Sequence, residues 1–135
     1  MYEPIRTKSV HTTMAEQDDF PHRSRAEELD IRLAGHLTAL LTTLDELRAL
    51  TPDGSLDDAA DRLAEQVARL RGGDFPLRAR PSGGAPERIP SLRRRAHTLA
   101  GNALVVANSR SDKAAAELAA ELLKTHSEER RPVSA

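Results

Sequence analysis

The chain has 135 residues, a length typical of a single domain. Its 20 basic and 21 acidic side chains nearly cancel, which argues against a protein dedicated to nucleic acid or to a membrane surface. The lack of cysteine excludes disulfides, thiolate metal sites and cysteine nucleophiles, and it fits a reducing compartment.

No apolar run approaches the ~18–20 residues that cross a bilayer, and the first twenty residues lack the apolar segment of a secretory signal. We therefore expect a cytoplasmic protein with no membrane partner. Met14 is an alternative start to Met1, since residues 1–13 carry no structural pattern. The 17 arginines against 3 lysines, with abundant alanine, suggest the high-GC coding bias of actinobacteria.

The first predicted element is a helix over residues 24–50, preceded by a flexible tail of residues 1–23. Ser24 is the expected N-cap, and Glu27 three residues later completes a capping box. Residues 51–54, Thr-Pro-Asp-Gly, then turn the chain. Leucines at helical spacing predict the buried face of this helix: Leu29, Leu33, Leu37, Leu40, Leu44 and Leu47, with Leu41 at its edge.

A second helix follows, with Ser55 as its expected N-cap and Gly72 and Gly73 as its C-terminal stop. Its apolar stripe consists of Leu56, Ala59, Ala60, Leu63, Val67 and Leu70. Such a short helix is marginal alone in water, so we expect the stripe to pack against other helices.

Residues 72–90 contain four glycines and four prolines, which predicts a long loop or linker. Few of its side chains are apolar. We expect Phe75 to dock on the open end of the leucine stripes, while residues 79–86 stay mobile.

A third helix is predicted from Pro86 or Pro90 to about Asn108, with the stripe Leu92, Ala96, Leu99, Ala103 and Val106. The helical phase breaks at residues 108–112, where Ser109 and Asp112 suggest a new capping box; without a break, the third and fourth helices form one long rod. The fourth helix is predicted to end near His126, before a disordered tail of residues 127–135. Its stripe is Ala115, Leu118, Ala119 and Leu122.

Four one-sided stripes predict an all-α fold, an antiparallel four-helix bundle spanning residues 24–126. The turns at 51–54 and 108–112 would each form a helical hairpin, and the loop at 72–90 would join the two hairpins.

The sequence contains no strong pattern of catalytic or metal-binding side chains. His36, His97 and His126 lie near the predicted core, but they lack the spacing of a metal site and are interpreted as boundary histidines with local hydrogen bonds. Asp57, Asp58 and Asp61 fit complementation of the helix dipole. The sequence therefore predicts no catalytic, cofactor-binding or metal-binding residue, and we expect a protein that is not an enzyme.

Arginines are concentrated in the loop and at the start of the third helix. Residues 72–95 contain six arginines and only two acidic residues. Arg78, Arg80, Arg88 and Arg94 are the candidate contacts to nucleic-acid phosphates. Consecutive helical residues point about 100° apart, however, so a solvated face explains the run Arg93-Arg94-Arg95 as well.

These observations favour a helical adaptor or regulator that acts through protein contacts, self-association included; the alternative is a nucleic-acid-associated regulatory factor that uses the Arg-rich loop and third helix. The segment IRLAGHLTALLTTLDEL, with its Leu-x-Gly-His-hydrophobic start, and the Arg- and Ala/Leu-rich third helix resemble a group of small helical streptomycete proteins associated with natural-product biosynthesis. The resemblance spans residues 31–108 and implies no particular activity or functional residue.

Overall fold

The computed structural model describes residues 23–130, with side chains described up to Ser127. The predicted tails lie outside this range, apart from Arg23 at one end and residues 127–130 at the other. The described residues form four α-helices and no strand, so the all-α prediction is confirmed. The helices are α1 (Arg25–Leu50), α2 (Gly54–Leu70), α3 (Ile89–Arg110) and α4 (Lys113–Arg130), with one 3₁₀ turn at Pro86–Arg88.

The predicted stripes form one continuous core. All seven leucines assigned to the inner face of α1 are buried, Leu41 included. The stripe residues of the other helices are buried too, except Leu70, which is partly covered. No phenylalanine, tyrosine or tryptophan among the described residues contributes, so the core consists mainly of leucine, valine and alanine packed at short range.

The helices pack mainly in three pairs: α1 with α2, α1 with α3, and α3 with α4. α1 packs against α2 and α3, and α4 packs against α3 and, less extensively, against α2. Ion pairs connect the same helices at the surface: Arg110 with Asp30, Arg62 with Glu121, and Arg69 with Asp112. Within residues 23–130, no helix is both long enough and apolar enough to cross a membrane.

The helix ends follow local hydrogen bonding. The capping box of α1 is confirmed: the Glu27 N–H donates to Ser24 Oγ at 3.0 Å, and the Ser24 N–H donates to Glu27 Oε1 at 2.8 Å. Asp53, not Ser55, caps α2, because its carboxylate accepts the Ser55 N–H at 2.9 Å. Gly72 and Gly73 have positive φ angles of 77° and 107°, as the predicted left-handed stop requires.

The predicted break between α3 and α4 is real, but its chemistry differs from the expected capping box. Ser109 remains inside α3, and Ser111 takes the left-handed conformation with φ 60°. The Asp112 N–H then donates to the Ala107 carbonyl at 2.9 Å, and the Asp112 carboxylate caps α4 by accepting the Ala115 N–H at 3.1 Å. A left-handed residue followed by an N-cap ends one helix and starts the next.

α4 ends at Arg130 rather than at His126, so residues 127–130, expected to be part of a disordered tail, are helical. The sequence explains the extension, because no glycine or proline interrupts the chain before Pro132.

Replacing Ser111 with glycine tests the break. We expect Ser111→Gly to raise the free energy of unfolding by about 1 kcal/mol, because glycine takes a positive φ without the steric cost of a Cβ atom. Ser109→Gly, two residues earlier inside α3, is the matched control and should lower it by about 0.5 kcal/mol. Urea unfolding of both variants checks this, and equal losses would indicate a continuous rod.

Candidate functional site

The irregular segment between α2 and α3, residues 71–85, is the candidate functional site. It is the longest segment without regular secondary structure in the described chain. Charged contacts attach it to the C-terminal part of α1 at two neighbouring residues, Asp45 and Glu46.

The first attachment joins Arg78 to Asp45. Nε and Nη2 of Arg78 donate to the two carboxylate oxygens at 3.0 and 2.6 Å. The buried Asp45 side chain also accepts Nη1 of Arg48 at 2.8 Å, and Arg48 reaches Asp57 on α2 at 2.7 Å. Two-point guanidinium–carboxylate contacts are strong, and an unpaired buried carboxylate is costly. The hydrogen bond with Asp45 also raises the pKa of Arg78.

The second attachment surrounds Glu46. The Ser82 N–H donates to Glu46 Oε2 at 2.8 Å, and Arg88 donates to Oε1 at 3.1 Å. The hydrogen bond from the Ser82 backbone is the main cause that lowers the pKa of Glu46, and Arg88 acts in the same direction. Because Asp45 and Glu46 are consecutive on a helix, they point about 100° apart and bind two different parts of the loop.

A glycine pair makes the second attachment possible. Gly83 and Gly84 have φ angles of 77° and 111°, which favour glycine. The Gly83 carbonyl accepts a hydrogen bond from the Arg88 guanidinium. A Cβ atom on Gly84 would lie 2.8 Å from Cδ of Arg88, so a side chain there would displace the arginine that bonds to Glu46.

The predicted docking of Phe75 is wrong. The side chain of Phe75 is 65% exposed, and that of Leu77 is 99% exposed. The apolar stripes of α1 and α2 are already covered by the other helices, so no open end remains for an aromatic ring. The loop is anchored instead by Arg78, Ser82 and Arg88, of which Ser82 lies in the segment that was expected to be mobile.

The four arginines considered for nucleic-acid contact fall into two pairs. Arg78 and Arg88 bind carboxylates of α1. Arg80 and Arg94 are exposed and make no ion pair with another described residue. The structure therefore brings Arg78 and Arg88 onto the same stretch of α1 and leaves the other two guanidiniums facing solvent.

Sequence reasoning missed the residues that receive these arginines. By helical periodicity, Asp45 and Glu46 fall on the face of α1 opposite the leucine stripe, yet Asp45 is buried. The signal was a charge imbalance: a strongly basic loop in a nearly neutral chain needs carboxylates elsewhere. Helical periodicity alone does not indicate which ones.

The surroundings of the first attachment form a surface cleft lined by Asp45, Arg48, Asp57 and Arg78, among others. Its two guanidiniums and two carboxylates balance, so the cleft offers no net charge to an anionic ligand. Within residues 23–130, no group of three or more histidine or acidic side chains is arranged to hold a metal ion.

His126 is not the boundary residue that the sequence suggested. It is fully buried in the core, whereas His36 and His97 are half-buried. Burial is the main cause that lowers the pKa of His126 to about 4, and the charges of Arg93 and His97 add to it. The imidazole is therefore neutral at pH 7 and behaves as part of the core.

Comparison of the chain with models of known protein families, with curated proteins and with solved structures found no match. The proposals below therefore depend on the contacts and exposures of this chain alone.

Removing Arg78 should loosen the loop more than removing Phe75. In Arg78→Gln, we expect the free energy of unfolding to fall by about 1 kcal/mol, since Arg48 still pairs with Asp45. Subtilisin, a protease of broad specificity, should cut residues 79–85 faster in this variant, whereas Phe75→Ala should leave both stability and cleavage rate unchanged. Gel analysis of limited digests checks the rates, and faster cleavage in Phe75→Ala alone would contradict the assignment of the anchor.

Acid should weaken the fold through His126. A histidine whose pKa is lowered by folding binds protons more readily in the unfolded chain, so stability is complete above pH 6.5 and falls as the pH drops toward 4. The pKa values of Glu46 and Asp53 are also lowered by folding. Protonation of these two carboxyl groups reduces the free energy of unfolding only below their ordinary pKa values of 4.5 and 3.8. The loss between pH 6.5 and 4.5 therefore belongs to His126 and amounts to roughly 2 kcal/mol.

Urea unfolding at a series of pH values measures this loss. His126→Leu should flatten the curve between pH 6.5 and 4.5. Leu122→Ala, on the same buried stripe, should lower the whole curve without flattening it. An unchanged slope in His126→Leu would assign the acid sensitivity to another group.

Proposed function

We propose that this chain is a non-enzymatic interaction protein in which a helical scaffold displays residues 74–80 to a protein partner. The observation that carries the proposal is the exposure of Phe75 and Leu77 in a loop that is attached to α1 by ion pairs. Large apolar side chains held in water at a fixed place mark interaction surfaces more often than catalytic ones.

Binding through these side chains is favourable because it would bury their apolar surface. Moving a phenylalanine or leucine side chain from water into an apolar pocket gains roughly 1.5–3 kcal/mol each. Two such side chains, only one residue apart, supply the centre of a small binding epitope of the kind that dominates protein interfaces.

The attachments lower the cost of binding. Gly73 begins the segment with its N–H bonded to the Ala68 carbonyl at 2.7 Å, and Arg78 ends it on Asp45. Pro76 restricts both its own φ and the backbone of Phe75 before it. A segment ordered in the free protein loses little further entropy when a partner binds.

Charge indicates the chemistry of the partner. Arg80 is exposed two residues after Arg78 and makes no ion pair with a described residue. An apolar pocket bordered by carboxylates would receive Phe75 and Leu77 and place an acidic group against Arg80. We therefore propose a protein with such a pocket as the partner.

We also propose that the scaffold is the antiparallel four-helix bundle expected from the sequence. Its support is the pairing of opposite helix ends: Arg110, at the end of α3, contacts Asp30 near the start of α1, and Arg69, near the end of α2, contacts Asp112 before α4. The cytoplasmic location and the resemblance to small streptomycete proteins stay predictions.

Nucleic acid is the second candidate. It is less favoured because two of the four candidate arginines, Arg78 and Arg88, already bind carboxylates, which leaves Arg80 and Arg94 of this set to supply phosphate contacts without breaking an ion pair. A phosphate-binding protein needs several such contacts for useful affinity.

Site-specific cross-linking tests the proposed function. A photoreactive phenylalanine analogue at position 75 is expected to capture one particular protein when the producing cells are irradiated. The same analogue at position 65, an exposed site on α2, is the control and should not capture it. Calorimetry with the purified partner should then show that Phe75→Ser with Leu77→Ser abolishes binding without changing the melting temperature.

Equal binding by the double variant, or capture that does not differ between positions 75 and 65, would overturn the proposed function. Binding to duplex DNA that disappears in Arg80→Ala with Arg94→Ala would favour the nucleic-acid alternative instead.

A further inference from the structure

A second surface, independent of the loop, lies on the outer side of α3 and α4. The two helices border a groove, called here the outer groove, lined chiefly by Leu104, Asn108, Lys113, Ala116, Glu117 and Ala120. The apolar part of its lining consists of Leu104, Ala116 and Ala120. Val105, on the outer side of α3 next to Leu104, is 66% exposed. No described part of the chain covers this apolar surface.

The charges of α4 divide into two groups. Glu121 binds Arg62 and the N-cap Asp112 binds Arg69, both on α2. Lys113, Glu117 and Lys124 are exposed on the side of the outer groove and make no ion pair with a described residue, and Glu117 and Lys124 are the two that flank Ala120. Thus the charges that face a neighbouring helix of the same chain are satisfied there, and those that face outward are not.

The spacing of these two outward charges is self-complementary. Glu117 and Lys124 are seven residues apart, two helical turns, with Ala120 between them on the same face. If α4 of a second copy crosses in the opposite direction near Ala120, Glu117 of each copy meets Lys124 of the other. A parallel crossing would place like charges together. The small side chain of Ala120 lets the two helices approach closely.

We propose that the outer groove is the interface between two copies of this chain, related by a two-fold axis that passes near Ala120. The interface contains Leu104, Val105, Ala116 and Ala120 at its centre and two reciprocal Glu117–Lys124 contacts at its border. Apolar centre and charged border are the usual arrangement of such interfaces, and a two-fold axis makes one patch serve both copies.

Charge reversal tests the pairing. Glu117→Lys makes both positions that flank Ala120 positive, and Lys124→Glu makes both of them negative. Each single variant is expected to raise the dimer dissociation constant roughly tenfold or more, because two attractive contacts become repulsive. An equimolar mixture of the two variants should associate again, and so should the double variant Glu117→Lys with Lys124→Glu. Sedimentation equilibrium of the full chain measures all four.

Controls separate this proposal from the proposed function. Glu65→Lys changes the charge of an exposed residue on α2 and should leave the dimer intact. Phe75→Ser with Leu77→Ser should also leave it intact, since these residues lie outside the outer groove. Val105→Ser should weaken it without unfolding the chain, as circular dichroism will verify.

A wild-type chain that stays monomeric at millimolar concentration would overturn the proposal. A folded double variant and a mixture that both fail to associate, beside a dimeric wild type, would place the interface elsewhere.

Discussion

The leucine arc of α1 is the contact on which the other helices depend. Seven leucines cover more than one side of the helix, so α1 can bury surface against α2 and α3 at once. The other helices contribute nine alanines, six leucines and two valines to the core, and the small alanine side chains let these helices pack closely against the leucines of α1. Without aromatic residues in this core, stability comes from many close aliphatic contacts rather than from a few large ones.

The wide arc also determines where the polar surface of α1 can lie. Next to the leucine arc, Asp45 lies at the edge of the core, where its carboxylate is buried and requires cations. Arg48 satisfies part of that requirement from the same helix, and Arg78 satisfies the rest from the loop. Packing of the core and attachment of the loop are therefore linked through a single carboxylate.

Periodicity predicted the helices, their buried faces and the break after α3, because each depends on residues close together in the sequence. The identities of two N-caps were wrong, since Asp53 and Asp112 compete with nearby serines and local sequence does not decide between them. The predicted docking of Phe75 was wrong for a different reason. Its burial depends on whether other helices have already covered the apolar surface.

Only part of the candidate site could be predicted from the sequence. The loop and its arginines stood out by composition, but the partners of Arg78 and Arg88 lie more than thirty positions away on α1. Pairing at such separation is a property of the assembled helices. The burial of His126 was equally hidden, because its position on the stripe fits a covered or an edge residue.

The attachment of the loop differs in kind from the cohesion of the helices. The guanidinium-bearing side chains of Arg78 and Arg88 are 34% and 37% exposed, so mobile ions can reach them. At about 1 M ionic strength the screening length falls to ~3 Å, near the length of an ion-pair contact. The aliphatic core does not depend on such screening and is strengthened by strongly hydrated salts. Ionic strength therefore acts on the two parts in opposite directions, loosening the displayed segment from a scaffold that stays folded.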